Sequence, residues 1–186
     1  MARVILGVDP GLTRCGIGLI KADTAREVSL IAVDTIRTAP EVELTQRIGI
    51  LAKAIESLIQ EHKPDAIALE RVFAQANVRS VMGVAQISGV VLMLADKYQI
   101  PVQMHTPSEV KAAVTGSGRA EKVQIGLAVT KILGLAEIPK PADSADALAI
   151  AICNAWKNSV PASSSVSLTK AQQAWQAAER VAKRKQ

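Results

Sequence analysis

Five short apolar runs and five segments of helical period make up the body of this chain. Residues 4–9 (VILGVD) are apolar up to a terminal carboxylate and run into the turn dipeptide Pro10-Gly11, the pattern of a buried strand stopped by a turn. Residues 14–21 and 27–37 read as second and third strands, and the short connections predict an antiparallel meander. Leu44, Ile48, Leu51, Ile55 and Leu58 then fall at the spacing of one helix face, on a helix expected to open near Pro40 and to stop at Pro64. Residues 65–70 place Ala-Ile-Ala-Leu between two carboxylates, a short buried strand. Asn77 is the expected cap of a helix reaching about Tyr98, residues 101–105 predict a fifth strand, and helices near 108–114, 120–133 and 143–156 complete the body. A meander followed by strands alternating with helices specifies an α/β domain. Its mixed five-stranded sheet has three antiparallel meander strands plus two parallel ones, flanked by helices.

The 186 residues suit one domain of ordinary size, and an apolar share of 49% supplies its core. No apolar run reaches the length of a membrane span, and the start is too short for a signal peptide. Cys15 and Cys153 both sit in apolar contexts and make no disulfide framework, so a reducing cytoplasm is expected. The net charge of +5 changes meaning once it is located. Six of the 22 basic side chains but one of the 17 acids lie from Lys157 onwards, which leaves 16 of each sign before it. Any nucleic-acid surface on the body must therefore come from local clustering rather than overall charge. The expected organisation is a body over residues 1–157, a Ser-rich linker over 158–168 and a basic helix or tail over 169–186. In that tail Ala171, Ala174, Trp175, Ala178 and Ala182 share one face.

The candidate chemistry lies in carboxylates. Asp9 and Glu70 each end an apolar strand, and open α/β sheets place their ligands outside the carboxyl ends of strands. Asp143 and Asp146, three apart, share one face near the start of the last helix. Taken alone, Asp143 is a normal helix-start acid. Asp146 stands in a small apolar sequence, where a freely solvated charge is out of place. Clustered like charges repel unless a cation joins them. Four carboxylates without a His or Cys cluster favour hard, oxygen-loving ions, Mg²⁺ with Mn²⁺ as substitute, over zinc. Two such ions about 4 Å apart can serve phosphodiester hydrolysis. Lys111, Arg119 and Lys122 flank the Gly116-Ser117-Gly118 loop, where glycine lets backbone amides approach a phosphate and the cations add affinity without sequence preference. Thr13 and Arg14 follow the first strand and are further phosphate candidates. Phe73, the chain's one Phe, is expected in a loop, where it can stack on unpaired bases. His62 and His105 are read as structural, although His105 ends a strand next to one that carries an acid.

Four motifs in register carry a family resemblance: residues 4–18 (VILGVDPGLTRCGIG), 69–73 (LERVF), 110–122 (VKAAVTGSGRAEK) and 141–151 (PADSADALAIA). Together they resemble the RuvC-type Holliday junction resolvases over nearly the whole body. The resemblance implies an RNase H-like fold and a homodimer with two active sites. It also implies symmetric nicking of opposing strands at a four-way DNA junction, in homologous recombination and DNA repair. It maps the family's catalytic, metal-holding acids to Asp9, Glu70, Asp143 and Asp146, with two ions per site. It places Phe73 at the junction crossover and matches Lys111 and Lys122 to basic positions of the family. It further implies the branch-migration proteins RuvA and RuvB as partners. The expected products carry a 5′-phosphate and a 3′-hydroxyl. The residues beyond Trp156 fall outside it.

Residues 81–95 (VMGVAQISGVVLMLA) are apolar nearly all round their helix, whereas covering one face of a sheet needs only one apolar stripe. The surplus predicts a two-fold contact between copies of this helix, with Val84 or Met93 as outward positions. Two other readings compete. An actin-like or sugar-kinase-like ATPase also begins with strand–Asp–Gly–strand, but needs a second domain with another Asp-Gly loop. A catalytically silent junction-binding module would not need all four acids.

Overall fold

The computed structural model describes residues 2–23, 26–71 and 78–158. Strands β1 (Arg3–Asp9), β2 (Arg14–Ala22) and β3 (Val28–Arg37) form the expected meander. Helix α1 (Leu44–His62) leads to β4 (Ala66–Glu70), α2 (Val78–Lys97) to β5 (Val102–His105), and α3 (Pro107–Thr115), α4 (Lys122–Leu133) and α5 (Ala142–Asn158) follow. The sheet order is β3-β2-β1-β4-β5, with β4 parallel to both β1 and β5. This is the mixed sheet of three antiparallel and two parallel strands that the patterning specifies.

The pleat explains the two cores. Leu6, Val8, Ile17, Leu19 and Leu69 point to one face, where Leu51, Ile55 and Ile59 of α1 and Ile87, Val91 and Leu94 of α2 cover them. Ile5, Ile20 and Ala68 point to the other face, against α5, which is covered in turn by Val110 and Val114 of α3 and Ile125 and Val129 of α4. Cys15 lies in the first core and Cys153 in the second, so the sheet separates the two thiols.

Helix α5 is buried from Ser144 to Ala155 with Asp146 alone only half-buried, because it lies between the sheet and two further helices. Glycines let it lie so close. A Cβ at Gly7 would run into the Ala147 carbonyl oxygen, and one at Gly18 would come within 2.7 Å of the Leu148 nitrogen. A buried hydrogen bond of 2.8 Å between the Ser144 and Thr35 hydroxyls ties the start of the helix to β3.

Several boundaries move for local reasons. Pro40 does not open α1; a turn closed by the Val42 amide on the Ala39 carbonyl intervenes, and the helix begins at Leu44. Its buried stripe is Arg47, Leu51, Ile55 and Ile59, spaced by four, whereas Leu44 is exposed and Ile48 and Leu58 only half-buried. Helix α3 starts a residue early, at Pro107, because Thr106 caps it: its hydroxyl accepts from the Glu109 amide and the Glu109 carboxylate accepts from the Thr106 amide. Asn77, the expected cap of α2, lies outside the described residues, as do Phe73 and residues 159–186. No helix of the described residues is long and apolar enough to cross a membrane.

Candidate active site

Two strand ends and one helix start build the site. Val8 of β1 is in register with Leu69 of the parallel β4, so Asp9 and Glu70 leave the sheet side by side at the same edge. Both side chains follow the pleat towards α5, as Ile5 and Ala68 do. On its other side Asp9 pairs with Gly16 of β2, whose missing Cβ makes room for the Asp143 carbonyl at the head of α5. The first turn of α5 is thereby set down next to the ends of β1 and β4.

Asp9, Glu70 and Asp146 line one cleft of about 270 Å³, together with Lys111 and Lys122, over an apolar floor that includes Val110, Ile125 and Ile150. The Lys122 ammonium stands 3.2 Å from the Asp146 carboxylate. Asp143 turns the other way: its carboxylate meets the Arg14 guanidinium at 3.2 Å and borders a second cleft with Thr13. Arg119 is exposed and lines neither cleft; its backbone amide is held by the Ser117 hydroxyl. The structure therefore gathers three of the four expected acids, with Lys111 and Lys122, into one cleft. It places Asp143, Arg14 and Thr13 around its neighbour.

The electrostatics follow from this crowding. Burial pushes the Asp9 carboxyl up to about 8, reinforced by Glu70, Asp146 and Asp143 in that order and opposed by Lys122. Glu70 is also raised, first by burial and then by Asp146, while Lys122, Lys111 and a hydrogen bond with Asp9 pull it back. Lys122 is raised in turn, chiefly by Asp146. Two neighbouring carboxyls that resist ionising together are a site short of positive charge. The donor set is all oxygen and suits a hard divalent ion. Among the described residues no three His, Cys, Asp or Glu side chains stand close enough together to hold an ion as they are placed. Arg14 and Lys122 have drawn the two helix acids to themselves.

The remaining titratable groups lie apart. His105 is level with Glu70 across β4 and β5, yet it is buried and its Nε2 meets the Asn154 amide at 3.3 Å rather than the cleft. Burial pushes its pKa down. His62, the last residue of α1, stands 3.8 Å from its neighbour Glu61 and lines neither cleft. Sequence reasoning missed Arg47, which lines the second cleft beside Arg14. The available signal was a cation four residues before Leu51 on an otherwise apolar stripe.

The profile of the family described as crossover junction endodeoxyribonuclease RuvC matches residues 5–154. The chain belongs to the RuvC family. A RuvC from Paenarthrobacter aurescens is 52% identical over 188 residues, covering 100% of both chains. One from Rhodococcus opacus is 56% identical over 153 residues, 82% of this chain and 81% of the relative. Among solved structures, Thermus thermophilus RuvC in complex with a Holliday junction substrate superposes with a TM-score of 0.80 at 32% identity, over 84% of this chain and 95% of that one. The yeast mitochondrial Holliday junction resolvase Ydc2 shares the fold, with a TM-score of 0.61 at 15% identity over 83% of this chain and 79% of that one. The resemblance carried by the four motifs and the fold class both stand. The family is one of DNA-cutting hydrolases.

Proposed function

We propose that this chain resolves four-way DNA junctions, cutting two opposing strands symmetrically by hydrolysis and leaving 5′-phosphate and 3′-hydroxyl ends. The observation that carries the reading is the single cleft holding Asp9, Glu70 and Asp146 with Lys111 and Lys122 on its rim. Asp9, Glu70, Asp143 and Asp146 would hold Mg²⁺, two ions per site, with Mn²⁺ as a substitute. Such ions polarise the phosphate, promote attack by water and stabilise the leaving oxygen.

The chain's own residues prepare for this. Asp9 sits centrally and would be shared by both ions, giving up the proton that burial lets it keep. Asp146 and Asp143 would exchange Lys122 and Arg14 for the stronger divalent charge, which frees both cations for the DNA backbone. Lys111 and Lys122 then draw the scissile phosphate into the cleft, and Arg119, exposed on the same loop, adds a phosphate contact further out. Phe73, just beyond Glu70 in sequence, is assigned to stacking on bases opened at the crossover.

The reading includes a homodimer through α2. Met82, Leu92 and Met93 are 55%, 42% and 54% exposed, with Ala85 and Gly89 exposed along the same face, while Val84 is half-buried. An apolar stripe interrupted by small residues suits the close approach of a second copy. RuvA and RuvB are the proposed protein partners, the cytoplasm the compartment, and residues 1–157 the nuclease unit, with a linker over 158–168 and a basic segment over 169–186.

A synthetic four-way junction and a linear duplex of the same sequence, each incubated with the protein and Mg²⁺, test the proposal. Paired, ligatable nicks in the junction alone are expected, together with full loss of cutting in Asp9→Asn while junction binding persists. Equal cutting of the duplex, or an active Asp9→Asn protein, would overturn it.

A further inference from the structure

Arg47 is the one Lys, Arg, Asp or Glu side chain among the described residues that is buried, at 9% exposure. Its Nε donates to the Thr38 hydroxyl at 2.9 Å and its Nη2 to the Thr13 hydroxyl at 2.8 Å. Among the described residues no carboxylate pairs with it. Burying a cation against neutral hydroxyls alone is costly, because neither partner returns the hydration the charge has lost. A neutral amide could tie Thr13 to Thr38 as well. The charge calls for an anion that the described residues do not supply.

The position of the third nitrogen shows where that anion would sit. Nη1 has no hydrogen-bond partner among the described residues, yet none of their buried side-chain polar atoms is left unpartnered. Nη1 is therefore not sealed from solvent, and Arg47 lines a cleft of about 440 Å³. Arg14 and Thr13 stand at the same cleft, and Asp143, held by Arg14, forms its boundary with the acids. Two guanidinium groups thus face one carboxylate, so the cleft carries a surplus of positive charge. Its wall is firm. The Thr13 carbonyl accepts from the Thr38 amide at 3.1 Å, the Thr38 hydroxyl donates to the Leu12 carbonyl, and Gly83 of α2 brings its backbone against Leu12.

We propose that Arg47, with Arg14 and the Thr13 hydroxyl, forms a second phosphate subsite that seats a phosphodiester neighbouring the one being cut. The proposal rests on the nuclease reading above and deepens it. A strand laid across the carboxyl edge of the sheet meets the acid cleft on one side of the start of α5 and this cleft on the other. Arg47 has one bond committed to Thr13, in the loop that follows Asp9, and one to Thr38, whose hydroxyl holds that loop at the Leu12 carbonyl, so a phosphate on its free face also steadies that loop. A fork of nitrogens, some fixed to the protein and one presented to an oxyanion, is an arrangement arginine supplies and lysine does not.

The test uses the full chain and a four-way junction, in chelator so that no cutting occurs, with affinity measured across a salt series. Salt-dependent junction binding by the wild-type protein checks the nuclease reading first; its absence defeats that reading. Arg47→Gln keeps the stem and a hydrogen-bonding head but loses the charge. It is expected to bind about tenfold more weakly, with a salt slope shallower by about 0.9. Thr38→Val loosens the clasp and leaves the charge, so its slope should equal that of the wild type. An unchanged slope in Arg47→Gln, or the same change in Thr38→Val, makes Arg47 a structural clasp and overturns the proposal. If Arg47→Gln does not fold, phosphate-ethylation interference on the wild-type complex decides. Interference at a phosphate beside the scissile one is expected; none there would mean that the cleft takes at most a small free anion, and the proposal fails.

Discussion

Gly16→Ala should damage cutting far more than it damages folding. Gly16 is paired with Asp9 across β1 and β2, and a Cβ there would strike the Asp143 carbonyl. It would lie 2.7 Å from the Asp143 carbonyl carbon, where ordinary contact begins at 3.4 Å. The start of α5 must therefore retreat by about 0.7 Å or more, since neither backbone can yield as a flexible side chain would. Overpacking of this kind costs about 1–3 kcal/mol, and the smaller entropy of an unfolded Ala chain offsets about 0.4–1 kcal/mol of it. The net loss corresponds to a fall of a few degrees in Tm, at about 2–4 °C per kcal/mol for a chain of this size. The same shift moves Asp143 and Asp146 relative to Asp9, and a misplacement of about 1 Å can cost on the order of 100-fold in rate. Single-turnover cleavage of a four-way junction, measured well below the Tm of both proteins, separates the two effects. Gly49→Ala is the control: nothing lies within 4 Å of the point where its methyl would stand, so it should gain about 0.5–1 kcal/mol and cut normally. A Gly16→Ala protein with wild-type rate and Tm would show that α5 is not held in place by this contact.

Four further outcomes are expected. In chelator, the proton that Asp9 holds up to about pH 8 in the folded state and only to about 3.8 in the unfolded chain makes stability fall as pH rises between those values, by at most about 1.4 kcal/mol per pH unit. Thermal melts of Asp9→Asn should show a shallower fall, so that the variant becomes the more stable protein by pH 8; a gap that does not widen with pH refutes the assignment. Mg²⁺ added at pH 8 should raise the Tm of the wild type more than that of Asp9→Asn, and equal increments would remove Asp9 from ion binding. Lys111→Ala and Lys122→Ala should each flatten the salt slope of junction binding by about 0.9, and unchanged slopes would leave both outside the DNA path. Met93→Asp should give monomers by sedimentation that fail to make paired cuts, whereas a variant that remains dimeric would clear α2 of the contact.

The sheet and its carboxyl edge were legible because they depend on short-range pattern. The apolar run of β1 ending at Asp9 and that of β4 ending at Glu70 needed only to be parallel neighbours for the two acids to meet, and they are. The site's asymmetry was not legible. Whether Asp143 shares the cleft of Asp146 or turns to Arg14 depends on side-chain directions in the first turn of α5, which spacing along a helix does not settle. Arg47 was hidden for a related reason: the run Leu44, Ile48, Leu51 suggested a face rotated from the real one, and a cation on a buried stripe looks like a solvated residue beside it. The surplus apolar character of α2 does mark exposed surface at Met93, while Val84 packs half inward.

Helix α5 has a bearing on how this enzyme comes into being. It is the centre of one core, yet it is the last of the described elements in the chain. Until residues 142–158 have left the ribosome, Ile5, Ile20 and Ala68 have no cover on that side, and β1 and β2 present bare glycines where a helix backbone should lie. At roughly 5–20 residues per second, about 7 to 27 seconds separate the synthesis of Asp9 from that of Asp146. Once Glu70 is made, the growing chain has two acids of the cleft, Asp9 and Glu70, and not the third. A ribosome-bound fragment, or a protein truncated before α5, lacks Asp143 and Asp146 and the helix that covers this face of the sheet. The capacity to break DNA arises in the same step as the finished core, so quality control of folding is also quality control of cutting.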